Sequence, residues 1–426
     1  MPKDLNILVI THYFPPVPGV GGRRWAKFVK YLSRKEGVNV SVVSAQNTVR
    51  DVKSSFAEEL SKVDFYHLQL PSGYPKYLEF LEFSEPSLWR KIMFRYQLFF
   101  LKQKVKGNYW DFSVFWEKHF KETIPDLIQR KGITKLIVSG PPYRYIVFAE
   151  KLKEQFPKLE VILDYRDPWN DFNDPFPITE DRHRFERSLE KEMLQKVDKI
   201  VTVSAFQKGL IQENQPSSAP IHIVPNGFDH EDYADNLRPK AESDKIKLVH
   251  FGTLHYLKDY YWVPFFEAYE QLKKDKPAYY NQLEIDLVGY CPHQVSDYIK
   301  SKNLDVKIHG ILEPFEAYSE LNQADVALWF KYDGSPGDFA TKFGDYISIR
   351  KFIWTFSVKG EVTDYINTHQ IGKVFYRSDK DLKTTIYEAL INLVENPDQH
   401  KFNPSYDSNR LRIENLTNEL IKALQA

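Results

Sequence analysis

Asp164-Tyr165-Arg166-Asp167-Pro168-Trp169 sets three charged groups directly after a short apolar run, Val161-Ile162-Leu163. Charge beside a buried strand is costly unless it is paired or used, so these residues form either a structural Asp–Arg pair or part of a ligand site. In an open α/β sheet, ligands collect at the carboxyl ends of strands, which favours a ligand role for Arg166 and Asp167. A second apolar run, Ile246-Lys247-Leu248-Val249-His250-Phe251, ends in Gly252-Thr253, with Lys258 a short loop further on. Glycine after a parallel strand lets backbone N–H groups approach a phosphate. A lysine in that loop can neutralise a diphosphate without a metal, unless it is simply a solvated charge.

Further along, Gly334-Ser335-Pro336-Gly337-Asp338-Phe339-Ala340-Thr341-Lys342-Phe343-Gly344-Asp345 reads as a loop opening a helix. Asp338, Thr341, Lys342 and Asp345 are its candidate donor-binding residues. Lys342 and Asp345 are one turn apart and can share a face, and a carboxylate there can accept two ribose hydroxyls. An ordinary salt-bridged surface turn is the alternative.

Near the start, Leu5 to Ile10 runs as a strand into a loop carrying Gly19, Gly21 and Gly22. The spacing is not the dinucleotide fingerprint, and the next strand ends Ser44-Ala45-Gln46 without a carboxylate for an adenosine ribose. Both facts argue against NAD. Gly21 and Gly22 either approach a phosphate or allow a tight turn. Ser139-Gly140-Pro141-Pro142 ends another strand, so Pro141 and Pro142 line the same crevice or cap it. Pro225-Asn226-Gly227 is a tight-turn signal, with Asn226 and Gly227 candidates for a hinge that also borders the crevice.

The elements that would position these residues alternate. Runs of buried-strand length recur at Val38 to Val43, Lys135 to Ser139, Val161 to Asp164, Ile200 to Val203 and Ile221 to Val224. In the second half they recur at Leu283 to Val288, Val306 to His309, Val326 to Phe330, Phe352 to Phe356 and Lys373 to Tyr376. Longer amphipathic stretches lie between, such as Tyr145 to Phe156 and Arg184 to Val197. This βαβα order predicts an α/β fold of two Rossmann-like parallel-sheet domains facing a central cleft. The expected boundaries are 1–235 and 245–405, joined by the polar stretch from Asp235 to Asp244. A last helix in 406–426 either closes the second domain or crosses back to the first.

The 426 residues exceed one ordinary core. Lys+Arg and Asp+Glu are both 58, which weighs against a general nucleic-acid binder. The single cysteine, Cys291, excludes an intrachain disulfide framework and a cysteine-built metal cluster. With no signal-peptide pattern and no membrane-span window, a cytoplasmic protein is expected. Aromatics cluster from Tyr74 to Trp116 among Lys76, Arg90, Lys91, Arg95, Lys102, Lys104 and Lys106. The expected insert, about 75–130, either packs its aromatic face on its own domain or meets the headgroup layer of an anionic bilayer.

Taken together, the stretches Ile7–Leu32, Ser139–Pro142, Asp164–Trp169, Val201–Ser204, Val224–Asp229, Phe251–Lys258 and Pro336–Trp354 resemble the family-4 glycosyltransferases of GT-B architecture. They span nearly the whole chain in the expected order. The resemblance implies a retaining transfer of a sugar, hexosyl or N-acetylhexosaminyl, from a nucleotide-sugar to a glycan or lipid-linked acceptor. It further implies cell-envelope polysaccharide synthesis, possible contact with the inner face of a membrane, and no cofactor or metal. Gly21 and Gly22 would face the donor diphosphate, and Asp167 with Arg166 would contact the transferred sugar. Gly252, Thr253 and Lys258 would hold the diphosphate and Asp345 the ribose.

The chain departs from the family pattern at three places. Thr253 stands where an arginine is common. The usual glutamate pair becomes Gly337 and Asp345, with Asp338 beside the first. Arg166 replaces a histidine. Two other readings stay open: a nucleotide-sugar epimerase using His12, Asp167 and His255, and a non-catalytic nucleotide-sugar-binding scaffold.

Overall fold

The computed structural model describes residues 5–15, 20–45, 60, 63–75, 77–78, 87–170, 178–214, 217–232, 237–254, 259–331, 337 and 339–426. They divide into two compact units, Met1–Pro225 with Ile413–Ala426, and Asn226–Arg412.

In the first unit the described strands are β1 (Leu5–Thr11), β2 (Val38–Ala45), β3 (Asp64–Leu68), β4 (Lys135–Gly140), β5 (Glu160–Tyr165), β6 (Lys199–Thr202) and β7 (Ile221–Ile223). They form one parallel sheet in the order β3-β2-β1-β4-β5-β6-β7. Strands β1, β4 and β5 are apolar and buried almost throughout, as strands covered by helices on both faces must be. One face packs Trp116, Phe120, Ile124 and Tyr145 over Leu8, Leu136 and Leu163. The other packs Trp25, Phe28 and Leu32 over Ile7, Val9 and Ile137.

The second unit repeats the plan with β8 (Ile246–Phe251), β9 (Leu283–Val288), β10 (Val306–Gly310), β11 (Val326–Phe330), β12 (Phe352–Ser357) and β13 (Gly372–Tyr376). Its parallel order is β10-β9-β8-β11-β12-β13. In both sheets the direction of winding reverses between the first strand and the fourth. Residues that follow β1 and β4, or β8 and β11, therefore flank the crevice where open α/β sheets bind ligands.

Three details differ from the expected organisation. The first unit ends at Pro225, not 235, because the next residues are held by the second: Asn226 Nδ2 donates to the Phe339 carbonyl (3.1 Å) and Phe228 N–H to the Leu411 carbonyl (3.0 Å). The described part of the polar stretch before Asp244 is tied to helix Pro314–Gln323. Asn322 donates to the Arg238 carbonyl (3.0 Å), and Gln323 both donates to the Pro239 carbonyl (3.0 Å) and accepts from the Ala241 N–H (2.8 Å). The insert is also shorter than 75–130. Helix Glu117–Lys131 buries Phe120, Ile124, Leu127 and Ile128 on the sheet, which makes it the crossover leading into β4.

Helix Ile413–Gln425 closes the first unit. Ile413, Leu416, Leu420 and Leu424 recur at helical spacing and join the cluster of Trp25 and Phe28. Lys199 Nζ caps its end on the Leu424 carbonyl (2.9 Å).

Candidate functional site

In the second unit, β8 ends at Phe251 and the chain turns at Gly252 with φ +96°, a conformation that favours glycine. A β-carbon there would stand 3.3 Å from Lys342 Nζ. Lys342 lies in the first turn of helix Thr341–Ser348, whose start is capped by no described side chain. Burial pushes its ammonium down to about 8, with the Lys331 charge adding to the drop and Asp345 opposing it. Lys331 directly follows β11 and is itself buried. Two cationic side chains and a glycine backbone thus meet at the carboxyl ends of β8 and β11, the crevice-forming pair. Lys331 adds to the cost of charging Lys342 and Asp345 offsets it, so the group is a candidate anion site at a strand-end crevice.

Asp345 is 2% exposed and accepts from Tyr318 Oη (3.4 Å). Tyr318 packs on Phe251, and Tyr346 donates to the Leu328 carbonyl (3.2 Å), so the carboxylate is anchored beside the ends of the same strands. Thr253 is exposed and Thr341 half-buried. Gly227 packs closely on this helix: a β-carbon on Gly344 would meet its carbonyl oxygen at 3.0 Å. Asn226 and Gly227 are therefore packing partners of the helix that carries Lys342 and Asp345. Lys258, Asp338 and His255 lie outside the described residues. Lys331 was not singled out from the sequence. Its only signal there is a position just after an apolar strand.

In the first unit, Arg166 does not offer its guanidinium to a ligand in this arrangement. Nε donates to the Gly140 carbonyl (3.0 Å), one Nη to Gly21 (2.8 Å) and the other to Pro141 (2.9 Å). Gly21 and Gly22 let these parts approach: added β-carbons would stand 3.1 Å from an Arg166 Nη and 3.0 Å from the Tyr13 carbonyl oxygen. They act as packing glycines here, and Arg166 pins the start of helix Val20–Leu32 and the loop after β4 to the end of β5. Pro141 follows β4 with both Gly140–Pro141 and Pro141–Pro142 peptides cis.

Asp164 is a structural anchor. Fully buried, it accepts from Trp25 Nε1 (2.7 Å), Ser139 Oγ (2.8 Å) and Arg24 (3.2 Å). Asp167 is the exposed member of the motif, its side chain 55% accessible and 4.0 Å from Arg166 Nε. Its loop is held by Tyr143, which stacks on Trp169 at 4.6 Å and donates to the Asp167 carbonyl. His12 is buried against Trp116, shares a hydrogen bond of 3.1 Å between Nδ1 and Tyr145 Oη, and is pushed down to about 3 by burial. It is neutral across the working range of an enzyme.

Away from these loops, Asp286, His309 and Glu320 bring ligand atoms within 4.8 Å of one another. Lys247 Nζ already sits 2.9 Å from Asp286, 3.1 Å from Glu284 and 3.5 Å from Glu320, supplying the positive charge such a group would otherwise seek. The Cys291 thiol is pushed up to about 11 by burial, so it is a poor nucleophile.

No protein-family model and no curated protein matches the sequence. Solved structures do match over its full length. The chain is similar to a sucrose-phosphate synthase from Thermosynechococcus elongatus at 13% identity and a TM-score of 0.61, covering 99% of this chain and 97% of the other. It is similar to the lipopolysaccharide outer core galactosyltransferase WaaB at 11% identity and a TM-score of 0.57, covering 99% of both. The UDP-GlcNAc 2-epimerase of Neisseria meningitidis, solved with UDP-GlcNAc, matches at 12% identity and a TM-score of 0.55 over 99% of this chain and all of that one.

The fold is GT-B. This chain carries two parallel Rossmann-like sheets in succession, and the likeness to these proteins extends over 99% of it. A GT-B chain can house transfer or epimerisation, so the chemistry must be argued from side chains. The GT-B frame also separates the candidates by unit: Lys331, Lys342, Asp345 and Gly252 belong to the second, Asp167 and His12 to the first. No described helix is long and apolar enough to cross a membrane.

Proposed function

We propose that this chain is a retaining glycosyltransferase that uses a nucleoside-diphosphate sugar and passes the sugar to a glycan or lipid-linked acceptor, as family-4 enzymes do, in cell-envelope polysaccharide synthesis. One observation carries the reading: the ammonium of Lys342 stands against Gly252 at the end of β8, with buried Lys331 at the end of β11 and Asp345 one helical turn away. This is a setting for a diphosphate with a ribose beside it.

In this reading the bond from the anomeric carbon to the diphosphate oxygen breaks as charge builds on the leaving group. Lys342, Lys331 and the Thr253 amide stabilise that charge, each well-placed donor contributing about 3 kcal/mol, while the Gly252 N–H stays bonded to the Val288 carbonyl (2.7 Å). The acceptor hydroxyl bonds to the anomeric carbon on the same face, and its proton passes to the departing phosphate oxygen. Asp345 binds the ribose hydroxyls. Lys258 and Asp338 keep the roles implied by family resemblance, and Asp167 contacts the transferred sugar. The lysines take the place of a metal, so a chelator should leave turnover unchanged.

The test is a thermal-shift panel of nucleoside diphosphates and nucleotide-sugars, followed by turnover assays on the stabilising donor with oligosaccharide and lipid-linked acceptors. Stabilisation by a nucleoside diphosphate that is lost in Lys342→Met supports the reading. Stabilisation by none of them sinks it. The likeness to epimerases keeps a second reading in view. Incubation with the nucleotide-sugar alone separates the two, since an epimer formed without acceptor belongs to that reading. Tight donor binding without transfer or epimer formation belongs to a scaffold.

A further inference from the structure

Helix Leu88–Lys104 is apolar on two opposite faces, and only one of them is used inside the described unit. Phe94, Leu98 and Leu101 pack with Tyr109, Leu78 and Ile178. Leu88, Trp89, Ile92, Tyr96, Phe99 and Phe100 lie open, Trp89 63% and Phe99 60% exposed. At about 100° per residue the open set spans an arc of roughly 120° centred opposite the packed one. Six large apolar side chains on one face is more than the scattered exposure ordinary surfaces carry.

The charge around that arc has one sign. The helix bears Arg90, Lys91, Arg95, Lys102 and Lys104 and no acidic residue, although the chain as a whole has equal numbers of basic and acidic residues. On the helical wheel Arg95 and Lys102, with Lys91 behind them, border one side of the open arc and Lys104 the other. Lys91, Arg95, Lys102 and Lys104 are solvent-exposed.

The helix is fixed rather than trailing. Ser87 Oγ accepts from the Arg90 N–H (3.3 Å) at its start. At its end the Arg182 guanidinium donates to the carbonyls of Val105 (2.6 Å), Gly107 (2.7 Å) and Lys102.

From this geometry we infer that helix Leu88–Lys104 docks the protein on an anionic lipid bilayer. It lies in the headgroup plane with Trp89, Ile92, Tyr96 and Phe99 in the acyl boundary. Aromatic rings suit that depth because they are apolar bodies at a wet boundary. Lysines and arginines at the rim reach phosphate headgroups while their stems cover apolar surface. The charge complementarity selects a negatively charged bilayer over a neutral one. This surface is independent of the donor site in the second unit, and its test needs neither donor nor acceptor.

The experiment is flotation of the full chain with vesicles of equimolar phosphatidylglycerol and phosphatidylcholine, beside vesicles of phosphatidylcholine alone. Two variants accompany it: Trp89→Ser with Phe99→Ser and Phe100→Ser, and Lys91→Glu with Arg95→Glu and Lys102→Glu. All six positions are exposed or on the open face, so both variants should melt with the wild type. The wild type should float with the anionic vesicles only, and each variant should lose at least ~10-fold in partitioning. Failure of the wild type to float, or equal flotation of wild type and both variants, overturns the inference. So does a wild-type dimer that the serine variant turns into a monomer without any vesicle binding, because the face would then belong to a second copy of the chain.

Discussion

Lys342 holds its ammonium against the backbone of Gly252, 3.3 Å from where a β-carbon would be. The two residues are far apart in the chain and meet because β8 and β11 are neighbours in the sheet. Burial in that contact, with Asp345 opposing and Lys331 adding to it, brings the lysine down to about 8.

That drop makes a signed pH prediction. The unfolded lysine keeps its proton up to its ordinary value of 10.5, while the folded one begins to release it near 8. Between those values the unfolded state holds more protons, so this residue makes the free protein more stable as pH rises through the window. A bound diphosphate needs the charged form, so affinity should be full below about 8 and decline above it. Lys342→Met should weaken nucleoside diphosphate binding by about 1.5–3 kcal/mol and abolish that decline. Isothermal titration on both sides of pH 8 reads both effects, and proton uptake on binding should vanish in the variant.

Asp345 tests the ribose. Buried beside Tyr318, it should prefer a nucleotide with both ribose hydroxyls over its 2′- or 3′-deoxy counterpart by about tenfold or more. Asp345→Asn should remove most of that preference while leaving inorganic pyrophosphate binding nearly unchanged well below pH 8, where Lys342 keeps its proton without the support of Asp345. An equal loss for all these ligands would assign Asp345 to the fold of its helix instead.

Arg166 makes an opposite kind of prediction. Its three donors reach the carbonyls of Gly140, Gly21 and Pro141, a fork that a single ammonium cannot reproduce. Arg166→Lys should destabilise the first unit by about 2–3 kcal/mol in denaturant unfolding. Nucleoside diphosphate affinity, read by calorimetry on the folded variant, should stay near wild type. A full-stability variant with lost donor affinity would return Arg166 to the site.

His12 concerns acid stability. Its folded value of about 3 lies below the ordinary 6.5, so the unfolded state takes up this proton first as pH falls. Stability is complete above 6.5 and drains by at most about 1.4 kcal/mol per pH unit below it. His12→Gln, which can keep a hydrogen bond to Tyr145, should flatten that acid limb in unfolding curves. The activity profile should carry no limb belonging to His12, which removes it from the acid–base pair an epimerase would need.

The residues alone determined the alternation. Apolar runs of strand length, glycine or charge at their ends, and amphipathic stretches between them specify parallel α/β units wherever they occur, because a strand buried on both faces must be apolar throughout. That is why the inner strands β1, β2, β4 to β6, β8, β9, β11 and β12 were legible. Of the four part-exposed edge strands, β7, β10 and β13 were also expected, and β3, Asp-Phe-Tyr-His-Leu, was not. The motif Asp164 to Asp167 was legible as charge at a strand end. Only packing divided its members, burying Asp164 and committing Arg166 to three carbonyls while the Asp167 side chain stays solvent-exposed beside Arg166. Likewise only strand order could bring Lys331 to the crevice beside Lys342, because adjacency in a sheet is a long-range pairing that local periodicity does not encode. Charge and aromatic content marked the segment around helix Leu88–Lys104, but which of its two apolar faces the core would claim was settled by tertiary contacts alone.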